Sequence, residues 1–139
     1  MTVEIQVDKR FARWVDKRSL IRTAARVMRI ESKPRFQLTA VITDDRTIRD
    51  YNDRFHHVNS ATDVLSFGSD APDYLGDILI SYETARKNAS RAGWRVCDEL
   101  ELLLVHGILH LVGYDDLTPN QRERMWKRQA ALLRKNIPD

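Results

Sequence analysis

Hydrophobic and polar positions change period several times along the chain, and each change marks a predicted element. "VEIQV" (residues 3–7) alternates apolar and polar side chains, the period of a strand. From Ser19 to Ile30 the apolar positions Leu20, Ile21, Ala24, Val27 and Met28 follow helical spacing instead, and Pro34 stops that segment. "FQLTAVIT" (36–43) predicts a second strand, after which Asp44 or Asp45 can cap a helix over 46–55. "TDVLSF" (62–67) predicts a third strand. A polar loop holding Gly68, Asp70, Pro72 and Asp73 then leads to a fourth, "LGDILIS" (75–81). Residues 82–92 read as a helix that ends at Gly93. Residues 98–112 are apolar almost all round, the mark of a central helix buried on most sides. Thr118-Pro119 opens a final amphipathic helix with proline at its first position. No repeat, low-complexity tract or linker interrupts this order. The expectation is one α+β domain over residues 1–139, a small four-stranded mixed sheet packed with about five helices.

Composition narrows the class. A chain of 139 residues can bury one core, and 42% hydrophobic with 31% charged residues describes a soluble globular protein. No apolar run is long enough to span a bilayer, so no membrane partner is expected. "MTVEIQVDKRFARW" lacks the apolar core and cleavage site of a signal peptide. Cys97 is the only cysteine, which rules out an internal disulfide and a cysteine-rich zinc site and fits a reducing cytoplasm. The net charge of +3 is unevenly spread: residues 9–35 hold ten Lys/Arg against Asp16 and Glu31, or +8, and the remainder is −5. Arg18, Arg22, Arg26 and Arg29 form a stripe along one helix face. Two readings stand for it, a solvated face or a surface for a polyanion, nucleic acid first in line.

The stretch "HGILHLVGYDD" (106–116) carries the candidate chemistry. His106 and His110 are four apart on the buried helix, about 6 Å along its axis, so they share a face. Two imidazoles at that spacing can reach one zinc ion at ~2.0–2.1 Å. Gly113 can cap the helix and reverse the chain, and the turn can carry Asp115 or Asp116 back to the same ion. Three protein ligands plus water is an open, catalytic pattern; a fourth ligand would close it into a structural one. The bland alternative is a pair of histidines hydrogen-bonded within a packed helix. Helical zinc proteases carry a glutamate after the first histidine as general base. Gly107 stands there, so peptide hydrolysis by that route lacks its base.

"HGILHLVGYD" resembles, at nearly every position, the signature of the YbeY family, bacterial zinc-dependent endoribonucleases of ribosomal RNA maturation. "TDVLSF" (62–67), "GDI" (76–78) and Asn52 resemble further motifs of that family, in the same order from about Ala40 to the final helix. The first 35 residues agree only in general pattern. The resemblance implies a zincin-like metal-binding helix and one Zn2+ per chain held by His106, His110 and a third ligand. It implies single-strand-specific cleavage of ribosomal RNA, maturation of the small-subunit RNA 3′ end, and quality control of defective ribosomes. The partners would be ribosomal RNA and the ribosome or small-subunit ribosomal proteins, in the cytoplasm, with RNA delivered along the arginine stripe to a cleft over the ion.

Two positions depart from the family pattern. Its third histidine is here Asp116, and the register favours Asp116 over Asp115 as third ligand. A carboxylate adds negative charge to the shell, makes the bound water less acidic and suits harder ions such as Mn2+. The family also places a functional arginine after the aromatic that corresponds to Phe55, where this chain has His56. A histidine donates to phosphate or shuttles a proton, without arginine's permanent bidentate charge. Two readings stand for His56: the candidate catalytic residue, carried over from the resemblance, or, like His57, a surface residue with no role. A competing reading is a ribosome-assembly factor that binds RNA or ribosomal protein, with zinc mainly structural. A metal-free nucleic-acid-binding domain requires the whole signature to be coincidental. Trp14, Trp94 and Trp126 read as packing aromatics and Cys97 as a small core residue. Asp63 and Asp77 read as backbone partners or orienting groups, not ligands.

Overall fold

The computed structural model describes residues 2–31, 33 and 36–133; Pro34, expected to stop the first helix, and Arg35 of the basic segment lie outside the described residues. Strand β1 (Thr2–Val7) leads through a 3-10 turn at Ala12–Trp14 to helix α1 (Lys17–Ile30). That helix starts two residues before the predicted position because the Asp16 carboxylate accepts from the Ser19 amide (3.2 Å) and caps it. Strand β2 (Gln37–Thr43) and helix α2 (Asp45–His56) follow, with Asp44 rather than Asp45 as the cap, accepting from the Thr47 amide at 2.8 Å. Strands β3 (Val64–Gly68) and β4 (Tyr74–Ser81) precede helices α3 (Tyr82–Ala92), α4 (Val96–Leu111) and α5 (Pro119–Leu133). Helix α4 also starts two residues early, since the Asp98 carboxylate reaches back to the Arg95 amide (3.3 Å).

The four strands form one mixed sheet in the order β1-β2-β4-β3. The first three run parallel, and β3 adds antiparallel at the edge beyond β4. Strand alternation sorts the side chains onto two faces. Leu38, Ala40, Ile42, Ile78 and Ile80 join the main core beneath α1 and α4. Leu65 and Leu79 turn to the opposite face, where Ile48 of α2 covers them. Helix α4 lies over β3 and β4 and touches α1, α3 and α5 as well, as its nearly continuous apolar surface predicts. Leu100, Leu104, Ile108 and Leu109 are fully buried along it. Each such side chain contributes about 1.5–3 kcal/mol relative to exposure. No helix among the described residues is long and apolar enough to cross a membrane.

Gly107 explains how closely α4 approaches the sheet. A Cβ built there meets Ile78 Cγ2 at 2.8 Å, and Ile78 is itself fully buried. The Gly107 carbonyl accepts from the Ser66 hydroxyl of β3 (3.2 Å), which ties helix to sheet edge. The position after His106 therefore faces the sheet and cannot present a side chain to the histidines. Gly107→Ala is expected to destabilise the fold by about 1–3 kcal/mol, the usual cost of overpacking, read from the urea midpoint at unchanged slope.

Candidate metal centre

The histidine pair lies on the strip of α4 that its neighbours leave partly open, and both rings are half-buried. His106 Nε2 and His110 Nε2 face each other at 3.0 Å. The Asp116 Oδ2 atom completes a triangle, 3.7 Å from His106 Nε2 and 3.5 Å from His110 Nε2. A point equidistant from those three atoms lies about 2.0 Å from each, the bond length that zinc makes with imidazole nitrogen and carboxylate oxygen. The donor set therefore fits a divalent ion, and the three residues can hold one. Asp115 takes a different place, 4.0 Å from the Nδ1 of His110, the nitrogen turned away from the triangle.

The turn that carries Asp116 is secured at both ends. At the end of α4 the Gly113 amide donates to the His110 carbonyl (3.1 Å) and the Tyr114 amide to the Leu109 carbonyl (2.9 Å). With Gly113 at φ +110°, this is a Schellman reversal, in a backbone region that glycine enters without penalty. At the start of α5 the Thr118 hydroxyl accepts from the Gln121 amide (3.2 Å), and the Gln121 side chain accepts from the Thr118 amide (3.1 Å). That reciprocal capping box is written in the sequence as Thr118-x-x-Gln121. Between these anchors, Arg122 Nη1 donates to the carbonyls of Asp116 and Leu117, both at 3.4 Å.

A fourth residue, missed by sequence reasoning, orients His106. The Nδ1 of His106 lies 2.5 Å from Gln129 Oε1, on a side chain only 4% exposed. An oxygen there requires the proton on Nδ1, which leaves the Nε2 lone pair facing the triangle. Burial pushes the His106 pKa below the ordinary histidine value, and His110 acts in the same direction, against the Gln129 hydrogen bond. The neutral ring is the form that binds metal. A signal did exist in the sequence: Gln129 interrupts the buried stripe of α5 formed by Met125, Leu132 and Leu133.

His56 reaches the same place from the opposite side of the cleft. With Asp63, His106, His110 and Asp116 it lines a cavity of about 640 Å³. Its Nδ1 lies 3.0 Å from Asn52 Oδ1, and its ring stacks on Phe67 with centroids 5.6 Å apart. Asn52 is buried and also donates to the Ser60 carbonyl (3.0 Å), so it holds α2 to the following loop while directing His56. Asp63 borders the cleft and accepts from Asn88 (3.3 Å), whereas Asp77 bonds the Tyr74 hydroxyl and lines a cavity on the α2 side of the sheet. Trp94 donates to Glu99 (3.0 Å), a carboxyl whose pKa burial raises.

The arginine stripe is placed differently from the expected delivery track. Arg18, Arg22 and Arg29 are exposed on α1 and Arg26 is half-buried, but none lines a cavity beside the histidines. Helix α1 packs against β1 at one edge of the sheet, and the cleft opens beside β3 at the other.

A mixed sheet under a central helix that bears two histidines, with an aspartate brought beside them by the following turn, defines an α+β protein whose central helix carries a cluster able to hold a metal ion. The chain belongs to the YbeY family: the family model described as endoribonuclease YbeY matches residues 2–136. An endoribonuclease YbeY of Nautilia profundicola is 44% identical over 100 residues, covering 70% of this chain and 71% of that one. The corresponding protein of Chloroflexus aurantiacus is 37% identical over 145 residues, covering 95% and 93%. A solution structure from Thermotoga maritima shares the fold with a TM-score of 0.69 at 22% identity, over 94% of this chain and 86% of that one.

Replacing Gln129 by Leu removes the acceptor while keeping a side chain of similar size in the buried position. Competition with a chelator should show metal affinity reduced about 10–100-fold, the usual cost of losing a partner behind a ligating histidine.

Proposed function

We propose that this chain is a zinc-dependent endoribonuclease, one ion per chain, that cuts single-stranded RNA. Its substrate is ribosomal RNA in the cytoplasm, where it matures the 3′ end of the small-subunit RNA and acts in ribosome quality control, in contact with the ribosome or its small-subunit proteins. The observation that carries this reading is the triangle of His106 Nε2, His110 Nε2 and Asp116 Oδ2, three residues that line a cleft and would hold an ion there. The family's description as an endoribonuclease supports RNA as the polymer cut. The ribosomal assignment rests on the motif resemblance.

Zinc in this position supplies a Lewis acid for a phosphoryl oxygen and lowers the pKa of water. The side chains do the rest. Gln129 keeps the proton of His106 on Nδ1 and so keeps Nε2 available as a ligand. Asn52 does the same for His56, whose Nδ1–H donates to the amide oxygen while Nε2 stays free. From the cleft wall, Nε2 of His56 accepts a proton from the attacking oxygen or, once protonated, donates to a phosphate oxygen. Asp116 adds one negative charge to the ligand set, so a harder ion such as Mn2+ is expected to support activity too.

Elemental analysis of untagged, chelator-washed protein tests the centre. About one zinc per chain is expected, retained in Asp115→Ala and lost in Asp116→Ala; an unmodified chain that binds no metal sinks the nuclease reading. His56→Ala should keep its zinc while cleavage of single-stranded RNA slows about 10²–10⁴-fold, the range for removing a general acid or base. Equal rates for His56→Ala and the unmodified chain would remove His56 from the chemistry.

A further inference from the structure

Beside the metal triangle lies a second cavity, of about 260 Å³, and His106 and Asp116 form part of its wall. Its other walls are mainly apolar: Leu102 and Leu103 of α4, Val64 of β3, and Met125 of α5. Trp126 borders it with 44% of its surface exposed, although an amphipathic helix packed on a core normally turns tryptophan inward. The volume falls just below the ~300–1,000 Å³ typical of pockets for drug-sized ligands, and it suits a single flat heterocycle.

The charge around this cavity poses a problem for an RNA substrate. Asp63, Glu99 and Asp116 line it, and Asp115 and Asp116 line the neighbouring cleft, so a phosphodiester approaches carboxylates on several sides. Arg122 is the one guanidinium among the residues that line either cavity. Its Nη1 is tied to the carbonyls of Asp116 and Leu117, which holds the planar group against the ligand turn. The remaining face of the fork can meet a phosphate oxygen, geometry that lysine does not reproduce. A cation and an exposed aromatic ring, one helical turn apart on α5, thus stand at the mouth of an apolar cavity that shares its wall with the metal ligands.

We propose that this cavity is a nucleotide subsite: it takes the base of the nucleotide beside the scissile phosphate, stacked on Trp126, while Arg122 holds that nucleotide's phosphate. Stacking accepts any base because every base has a π face, so the subsite positions the strand without fixing its sequence. Arg122 supplies the permanent positive charge that His56 does not. The subsite rests on the endoribonuclease reading and deepens it.

The test uses zinc-loaded protein and a single-stranded oligoribonucleotide with one mapped cut, compared with versions carrying an abasic residue at one or the other nucleotide flanking the cut. Removing one of the two flanking bases is expected to lower kcat/KM at least tenfold for the unmodified chain. The loss should shrink to under twofold in Trp126→Ala and largely return in Trp126→Phe. Arg122→Ala should retain its zinc, lose at least tenfold in kcat/KM, and flatten the salt dependence of RNA binding by about one phosphate contact, or ~0.7 in the log–log slope. Arg122→Lys should restore part of both. If neither flanking base matters, or the loss persists in Trp126→Ala, the base subsite is wrong while cleavage itself stands. Zinc lost from Arg122→Ala would make Arg122 a brace for the ligand turn and overturn its phosphate role. A zinc-loaded wild type that cuts no oligonucleotide fails at the earlier step and takes the nuclease reading, with this subsite, down together.

Discussion

Helix α4 has to be buried on nearly every side, and the rest of the molecule is arranged around that requirement. Its leucines, isoleucine and valine face β3 and β4 below and α1, α3 and α5 around it. The close approach at Gly107 brings the helix against Ile78 with no room for a side chain. His106 and His110 lie on a partly open strip of this otherwise buried helix. A metal centre at this place inherits the rigidity of the core, because neither imidazole can move far without disturbing the packing beneath it.

That rigidity would be wasted if the third residue of the triangle sat on a loose loop. The turn after α4 is instead closed by a Schellman reversal at Gly113 and by the Thr118–Gln121 capping box, with Arg122 bonded to the carbonyls between them. Backbone hydrogen bonds thus decide which of two adjacent aspartates meets the histidines. Asp116 joins the triangle, and Asp115 is left on the outer nitrogen of His110. Gln129 from α5 and Asn52 from α2 play matching parts, each placing an amide oxygen against the Nδ1 of one histidine.

The distribution of charge separates two surfaces that the sequence invites one to join. The exposed arginines of α1 stand over the β1 edge, while the cleft opens at the β3 edge among carboxylates. A polyanion on the α1 face would lie away from the histidine–aspartate triangle. Arg122, on the second cavity beside the histidine–aspartate triangle, is the one guanidinium among the residues that line either cavity.

Periodicity was enough to place the strands and helices to within two residues, with α1 and α4 each starting two residues early, where Asp16 and Arg95 stand before the apolar pattern, and β3 starting at Val64 rather than Thr62. The histidine pair and the glycine reversal were also legible, because a helix makes residues four apart neighbours whatever surrounds it. The arginine stripe was legible as a stripe, but nothing local says which edge of a sheet a helix will cover. Gln129 meets His106 across 23 residues, and Ser66 meets Gly107 across 41. Such pairings depend on how α5 and β3 pack, so no local spacing announces them. What the sequence determined alone was the set of elements and the short-range chemistry built into them. Tertiary packing decided that Gln129 meets His106 and where the positive charge lies, since both depend on distances between elements remote along the chain.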